Sequence, residues 1–300
     1  MIYAGKRQII DAYIGTKRVS KMYFGNALAY ELPVYLVVCT FDNVTSDAPV
    51  SVNIGGSLSV TLTATSGNNV QSNSVVVTMG GVDVTSTAYN HSTKKVTIAE
   101  VTGDVTIAAI GRPYDAEVEY LQGDGTAYID TGFKHDQDTR YVCQLALSSV
   151  ATWSYPFGSF GGASGTNKLF TFGINSNKRI TTYYGTGTSH AFSISASGTH
   201  TFDLNKNAHT VDETTYSFST RTFESAYNTI IFGATQYTGD VSVSATVVKV
   251  YYFKIYDNGT LVRDFIPVRI GQTGYLYDKV GGTLYGNAAE SGAFTYGNDV

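Results

Sequence analysis

The sequence predicts an all-β protein of 300 residues. Thr, Val, Tyr, Ser and Gly dominate the composition, with 23 Tyr and 31 Gly, whereas residues that favour long helices are fewer. That balance favours strands joined by glycine turns. Segments such as Leu58 to Ala64 alternate strictly between apolar and polar residues, which is typical of a strand with one buried face. At roughly 150 residues per domain, the length corresponds to about two domains with ample chain for a core.

The first 32 residues contain a ten-residue repeat, IYAGKRQIID, AYIGTKRVSK and MYFGNALAYE. Each unit places a tyrosine two positions before a glycine, which predicts a small meander of β-hairpins. Such short hairpins bury little surface by themselves. We therefore expect residues 1–32 to serve docking and oligomerisation, packing against a neighbouring copy or a larger assembly.

Charge in this repeat differs from that of the whole chain. Five cations (Lys6, Arg7, Lys17, Arg18 and Lys21) stand against Asp11 and Glu31, giving +3 locally, whereas the whole chain carries −4. A basic segment fits docking onto an acidic platform, and a solvated basic face is the alternative interpretation.

Residues 33–112 form the second predicted domain, which Pro33 opens. Val75 to Met79 is expected to pair with Val82 to Thr85 across two glycines. Lys95 to Ala99 is expected to pair with Asp104 to Ala109 in a second hairpin. Some seven short strands in fewer than ninety residues are the pattern of an immunoglobulin-like sandwich. The run TMGGVDVTSTAYN and the later KKVTIAEVTGDVTIAA also resemble bacterial and phage immunoglobulin-like modules, which implies a spacer or adhesive role without chemistry.

Residues 113–300 form the third predicted domain, with longer strands. Its opening piece EYLQGDGTAYIDTGF and its closing pieces FKIYDNGTLVRDFIPV and GYLYDKVGGTLYG resemble the concanavalin-A-like, laminin-G-like jelly roll found in phage tail and other virion proteins. The segment HTFDLNKNAHTVD resembles a hairpin of that family. The resemblance implies a jelly roll whose first and last strands pair. The stretch Ser148 to Gly198 departs from the family, as loops that carry ligand specificity would.

Aromatic residues in that variable stretch are the candidates for a ligand site. A sugar would be bound by stacking on aromatic faces and by hydrogen bonds. The candidates are Trp153, the best single one, together with Tyr155, Tyr183 and Tyr184. The alternative is that these residues belong to the core and rim of a sandwich. Arg263 and Asp264 are adjacent on one predicted strand, so they point to opposite faces, and we expect scaffold salt bridges rather than a site.

Patterns for catalysis are missing from the sequence. Retaining glycosidases need two carboxylates about 5 Å apart. Glu117 and Glu119 form an E-V-E pair at the start of the third predicted domain, and we expect it to be a surface pair. No nucleophile elbow or phosphate-binding loop occurs. The five histidines lack metal-ligand spacing. We expect no enzyme, no cofactor and no metal, with one surface calcium ion left open because some laminin-G-like domains bind calcium.

The remaining features concern the protein's setting. Cys39 and Cys143 are expected to be buried free thiols. No signal peptide or membrane-spanning run is visible, and a net charge of −4 argues against nucleic acid as a partner.

These features together predict a non-enzymatic structural protein of a phage virion surface. It would be a tail or head fibre or decoration component that assembles in the host cytoplasm. We expect a homotrimer that contacts other virion proteins through residues 1–32 and host cell-surface glycans through its jelly roll. The alternative is a bacterial surface adhesin or carbohydrate-active protein with a lectin-like domain.

Overall fold

The computed structural model describes the strands within residues 1–33 and then residues 34–162, 168–185 and 188–300. The regular secondary structure of these parts is almost entirely β-strand, which confirms the predicted all-β class. The chain divides into two compact units, Met1–Pro113 and Tyr114–Val300. No helix in the described ranges has the length and apolar character needed to cross a membrane.

Six short strands precede residue 34 and pair as three separate antiparallel hairpins, β1 with β2, β3 with β4 and β5 with β6. Tyr3 lies opposite Gln8, and ten residues later Tyr13 lies opposite Arg18. The hairpins of the predicted repeat are therefore present, whereas its glycine turns at Gly5, Gly15 and Gly25 lie outside the described residues. The strands are β1 (Tyr3–Ala4), β2 (Arg7–Gln8), β3 (Tyr13–Ile14), β4 (Lys17–Arg18), β5 (Lys21–Phe24) and β6 (Ala27–Glu31).

The rest of the first unit is a sandwich of two sheets. The strands are β7 (Val34–Asp42), β8 (Val44–Ser46), β9 (Ser51–Asn53), β10 (Leu58–Ala64), β11 (Asn69–Val70), β12 (Val76–Met79), β13 (Val82–Asp83), β14 (Tyr89–Asn90), β15 (Lys95–Ile98) and β16 (Val105–Arg112). One sheet has the order β14-β15-β10-β8, and the other has the order β13-β12-β16-β7-β9 with β11 beside β16. A single helical turn, α1 (Thr85–Ala88), follows β13. Alternate residues of β10 and β16 fill the core between the sheets, as the alternation predicts.

One predicted hairpin of this sandwich is wrong. β15 pairs with β10 and β14, whereas β16 pairs with β7 and β12 in the other sheet. The connection between them carries Val101, which is completely buried. The Val101 N–H donates to Gly56 O (2.8 Å) and its carbonyl accepts the N–H of Gly55 (3.0 Å). The connection is thereby held in the core, and the chain crosses from one sheet to the other instead of turning back.

The described residues of the second unit form nineteen strands in two packed sheets. The strands are β17 (Ala116–Glu117), β18 (Leu121–Gly123), β19 (Ile129–Asp130), β20 (Thr139–Ser148), β21 (Phe157–Ser159), β22 (Leu169–Ile174), β23 (Arg179–Gly185), β24 (Thr188–Ser195), β25 (Gly198–Asn205), β26 (Ala208–Val211), β27 (Thr214–Ser217), β28 (Ile230–Ile231), β29 (Gly233–Thr235), β30 (Val241–Val243), β31 (Val247–Asp257), β32 (Thr260–Ile270), β33 (Thr273–Asp278), β34 (Thr283–Tyr285) and β35 (Phe294–Tyr296). The larger sheet has the order β27-β26-β25-β20-β31-β32-β33-β34, with β17, β18 and β35 attached. The smaller sheet has the order β19-β28-β21-β22-β23-β24, with β29 and β30 attached.

The two ends of this unit meet in the larger sheet. β18 pairs antiparallel with β35, and Leu121 lies opposite Tyr296. The opening and closing segments of the unit therefore pair, as predicted, although β17, its first strand, pairs with β32 and it is the second strand, β18, that pairs with the last. The turn between β31 and β32 is formed by Asn258 (φ 44°) and Gly259 (φ 81°), which both adopt the left-handed region that a two-residue hairpin turn needs.

Aromatic side chains fill the core between the two sheets. Tyr141 is completely buried, and its ring lies 4.8 Å from Phe170 and 5.6 Å from Phe157, measured between ring centroids. Its hydroxyl hydrogen-bonds Thr229 Oγ1 at 2.6 Å, so its polar end is satisfied. Cys143 is a buried free thiol in this core, whereas the free thiol Cys39 of the first unit is only half-buried.

Candidate functional site

Trp153 lies in the loop between β20 and β21 and is 63% exposed. Its φ of 58° is uncommon for a residue with a bulky side chain. Its N–H donates to Ile174 O at 2.8 Å, which ties the loop to the end of β22. The backbone is therefore anchored while the side chain remains in solvent, and Trp153 stays a candidate for contact with a ligand.

Tyr155 and Tyr183 lie together on the outer side of the smaller sheet. We call them, with Phe160 and Tyr237, the tyrosine cluster. Ring centroids are 4.9 Å apart for Tyr155 and Phe160, 4.9 Å for Phe160 and Tyr237, and 6.2 Å for Tyr155 and Tyr183. The contact between Tyr155 and Phe160 is edge-to-face, a favourable arrangement for aromatic pairs. The rings therefore pack mainly against one another.

The packing of the tyrosine cluster requires a glycine on β22 and shifts the pKa values of its phenols. A Cβ added at Gly173 would lie 2.8 Å from the Tyr155 ring, so only glycine lets that ring rest on β22. Burial raises the pKa of Tyr183 to about 12, and the neighbouring phenol of Tyr155 contributes to this rise. Burial also raises the pKa values of Tyr155 and Tyr237. The cluster is a small satellite core with little free ring surface.

Tyr184 has a structural role, which corrects its prediction as a sugar-stacking residue. It points to the opposite side of β23 from Tyr183 and is only 1% exposed. Its hydroxyl donates to Gln137 O at 3.1 Å, and its ring packs edge-on against Phe223 at 5.1 Å. Burial raises its pKa to about 12. A ring enclosed in this way cannot present a face to a sugar.

The outer face of the larger sheet carries a groove of about 400 Å³, within the size range of ligand sites. β31 supplies three of its side chains because alternate residues of a strand share one face. The intervening residues Phe253 and Ile255 are buried in the core. The residues that line the groove are Val142, Tyr252, Lys254, Tyr256, Asp264, Ile266 and Lys279.

Two tyrosines of β31 line the groove. Tyr252 and Tyr256 are four residues apart, so their backbones are about 13 Å apart along the strand. The Arg140 guanidinium lies 5.3 Å from the centroid of the Tyr256 ring. Arg140 is itself held by Asp203 through two hydrogen bonds of 2.7 and 2.6 Å, which raise the pKa of the guanidinium. Tyr256 is thus supported by a fixed cation.

The charged part of the groove is centred on Asp264, which is 8% exposed. Lys254 Nζ lies 3.6 Å from its Oδ1, and Lys279 Nζ lies 3.5 Å from its Oδ2. Both distances exceed the 2.7–2.9 Å of a charge-assisted hydrogen bond. Oδ1 has no hydrogen-bond partner among the described residues. Buried polar atoms are normally hydrogen-bonded, so Asp264 Oδ1, a buried oxygen of a residue that lines the groove, is an acceptor that lacks a hydrogen-bond donor.

The backbone of Asp264 is fixed more firmly than its carboxylate. Its N–H donates to Asp278 Oδ1 at 2.9 Å, and its carbonyl accepts the N–H of Lys279 at 2.9 Å. Arg263 points the other way, with Nε 3.7 Å from Asp278 Oδ2. Arg263 and Asp264 therefore both have salt-bridge partners, as predicted, and Asp264 lines the groove as well.

The groove was missed in the sequence because its residues come from strands that are distant in the chain. One local signal was available: Tyr252, Lys254 and Tyr256 alternate with Phe253 and Ile255. That pattern places aromatic and charged side chains on an outer face, but it does not indicate which strands pair with β31.

The carboxylate of Asp124, directly after β18, is used within the protein. Burial alone would raise the pKa of Asp124, but its carboxylate accepts hydrogen bonds from Ala127, Ala293 and Thr126, which hold the pKa well below its usual range. Asp124 therefore fastens the start of the unit to its end. The described residues contain no group of three or more His, Cys, Asp or Glu side chains placed to hold a metal ion.

No protein-family model matches the chain, and no curated protein matches it by sequence. Among solved structures, it is similar to the crystal structure of a putative carbohydrate binding protein from Bacteroides ovatus. The TM-score is 0.42 at 10% sequence identity, and the match covers 88% of this chain and 98% of that one. This degree of similarity carries no argument about the present chain, so its function has to be argued from the groove itself.

Proposed function

We propose that the protein is a non-enzymatic glycan-binding protein whose binding site is the groove on the larger sheet. The observation that carries this proposal is the combination, in one concavity, of half-buried tyrosine rings with a buried carboxylate oxygen that lacks a hydrogen-bond donor. Sugars present apolar C–H faces and many hydroxyl groups. A site that binds them needs aromatic surface together with hydrogen-bond acceptors and donors.

Each part of the groove has a role in this proposal. Tyr252 and Tyr256 offer ring surface for sugar C–H groups. Asp264 Oδ1 accepts a hydrogen bond from a sugar hydroxyl, and the ammonium groups of Lys254 and Lys279 donate to sugar oxygens. Val142 and Ile266 add apolar surface to the lining of the groove.

The absence of catalysis is part of the proposal. Glycoside hydrolysis uses two carboxyl groups placed on either side of the scissile bond. Asp264 is the one carboxylate among the groove's lining residues. The nearby carboxylate of Asp278 is fully buried and accepts the backbone N–H groups of Asp264 and Val280.

Binding of a glycan array by the wild-type protein and by Tyr252→Ala tests the proposal. We expect Tyr252→Ala to lower affinity for a bound glycan at least tenfold, because a central aromatic anchor commonly contributes about 2 kcal/mol. Tyr216→Ala is the matched control, since Tyr216 is 37% exposed on β27, four strands from β31 in the larger sheet. Equal binding by wild type and Tyr252→Ala, or no bound glycan at all, would contradict the proposal.

The same proposal includes a setting: the surface of a phage virion, as a tail or head fibre or decoration protein. It is supported by the resemblance of both domains to phage modules and by the three N-terminal hairpins. Isolated two-stranded hairpins are marginally stable, so these hairpins need a partner surface. We propose that a homotrimer and other virion proteins supply it.

Two measurements separate this setting from the alternative of a bacterial surface adhesin. Mass photometry should find a stable trimer, and mass spectrometry should find the protein in purified phage particles. A monomer across micromolar concentrations would remove the trimeric fibre. Detection on bacterial cells free of phage would favour the adhesin.

A further inference from the structure

The groove holds more positive than negative charge. Lys254 and Lys279 both face the single carboxylate of Asp264, at 3.6 and 3.5 Å. One carboxylate neutralises only one of the two ammonium groups, so a charge of +1 remains. This local excess is opposite in sign to the whole chain, which carries −4.

The neighbouring charges do not cancel this excess. Arg140 and Asp203 form a bidentate pair with each other beside Tyr256. Arg263 and Asp278 form a pair on the other side of β32. Each of these pairs is neutral as a unit, so the field in the groove is set mainly by Lys254, Lys279 and Asp264.

The two lysines also retain hydrogen-bonding capacity. An ammonium group has three donors, and neither Nζ lies within 2.7–2.9 Å of Asp264. Lys279 is exposed and can reorient, whereas Lys254 is half-buried between the two tyrosines. An anionic group placed between the two ammonium groups would accept hydrogen bonds from both and neutralise the surplus charge.

We propose that the groove selects an acidic sugar, a glycan residue that bears a negatively charged substituent. The inference rests on the proposed function and specifies its ligand class. The negative substituent contacts Lys254 and Lys279, the sugar ring packs against Tyr252, and a hydroxyl donates to Asp264 Oδ1. Asp264 selects against negative charge at its own position. Its carboxylate oxygen accepts a hydrogen bond from a sugar hydroxyl but repels an anionic substituent placed beside it.

Titration calorimetry with matched oligosaccharides tests this proposal. The set comprises a glucuronic-acid oligomer, its uncharged methyl ester, a sulfated analogue and the unmodified neutral oligomer. We expect the acidic sugars to bind at least tenfold more tightly than the neutral ones. This difference in affinity should shrink as the salt concentration rises from about 0.05 to about 0.5 M. The range spans weak to strong screening of the charges, because the Debye length is about 10 Å near 0.1 M. The carboxylated and sulfated ligands distinguish the two sources of negative charge.

Lys279→Gln should lose about tenfold in affinity for the acidic ligands and little for the neutral ones. Its matched control is Lys249→Gln, which removes the same charge from β31 at the ring of Tyr120, away from the groove. Equal losses in both variants would overturn the proposal by showing a general charge effect. Tight binding of neutral sugars, unaffected by Lys279→Gln but lost in Tyr252→Ala, would overturn the acidic ligand and leave the glycan function intact. Failure of every sugar in the set and on the array would overturn both.

Discussion

Two aromatic surfaces of the second unit differ in what their rings touch. In the tyrosine cluster, Tyr155, Phe160, Tyr183 and Tyr237 pack against one another at centroid distances of 4.9 to 6.2 Å. In the groove, Tyr252 and Tyr256 are separated by Lys254 and do not contact each other as a ring pair. We call the first the closed surface, because its rings cover one another, and the second the open surface, although the tyrosines of both are half-buried.

This difference shows that aromatic content alone does not mark a binding site. A tyrosine ring that another ring covers contributes to stability, and only an uncovered face can stack on a ligand. Substitutions in the two surfaces should therefore separate into losses of stability and losses of binding.

The largest expected effect is on the stability of the closed surface. Phe160→Ala should lower the free energy of unfolding of the second unit by about 4 kcal/mol, since it removes a buried ring that contacts Tyr155 and Tyr237. Urea unfolding measures this loss. Tyr252→Ala is the matched comparison and should cost about 1 kcal/mol or less because it opens no cavity. Equal costs in the two variants would mean that the groove tyrosine is also structural.

Acid should destabilise the interior beneath the closed surface. Burial lowers the pKa of His135 to about 4 and that of His209 to about 3, and the His209 ring stacks on Phe170 of β22. The unfolded chain binds these protons near pH 6.5, so the stability is fully present above that pH and is lost as the pH falls toward 4 and 3. The loss over the full window should be on the order of 3 kcal/mol for His135 and 5 kcal/mol for His209.

Unfolding free energies at pH 7 and pH 4.5 measure this dependence. The double variant His135→Gln and His209→Gln should show a smaller difference between the two pH values than the wild type. His91→Asn, at an exposed position of the first unit, should leave the difference unchanged. An identical pH difference in wild type and double variant would contradict the role of the buried histidines.

A smaller effect is expected on the open surface from Arg140→Lys. Lysine keeps the charge but loses the bidentate geometry with Asp203 and the planar contact with Tyr256. Affinity for a bound glycan should fall about threefold, in line with a cation–π contribution of about 0.5–1 kcal/mol. Calorimetry should find no change in Arg179→Lys, which lies on β23 of the smaller sheet. A loss of glycan affinity in Arg179→Lys alone would place the site on the smaller sheet and contradict the groove as the binding site.

The smallest effect is expected at Trp153. Trp153→Ala should change glycan affinity less than about twofold and stability by less than about 0.5 kcal/mol, as is usual for exposed positions. Trp153 is the chain's single tryptophan, so its fluorescence reports directly on this loop. A spectral shift on adding glycan, together with loss of binding in Trp153→Ala, would move the site from the groove to the loop.

Local patterns in the sequence predicted much of the fold. Alternation predicted the buried faces of strands such as β10, and the ten-residue repeat of tyrosine and glycine predicted the N-terminal hairpins. The hairpin assigned to Lys95 to Ala109 failed because the burial of Val101 depends on both sheets, which no local pattern shows. Tyr184 was misassigned because its face of β23 is decided by the register with β22.

The candidate site was harder to predict than the fold. One row across β20, β31 and β32 is formed by Val142, Lys254 and Asp264. The first and last of these residues are more than 100 positions apart in the sequence. Only the pairing of the strands brings them together. The departure from the family pattern predicted a site in the loops of Ser148 to Gly198, whereas the groove lies on regular strands, including the strand that carries Asp264.

The structure of the protein with a bound oligosaccharide tests the central claim most directly. The account predicts a sugar in the groove, with its ring against Tyr252 and a hydroxyl within hydrogen-bond distance of Asp264 Oδ1. A sugar bound beside Trp153 or on the tyrosine cluster, with the groove empty, would contradict it.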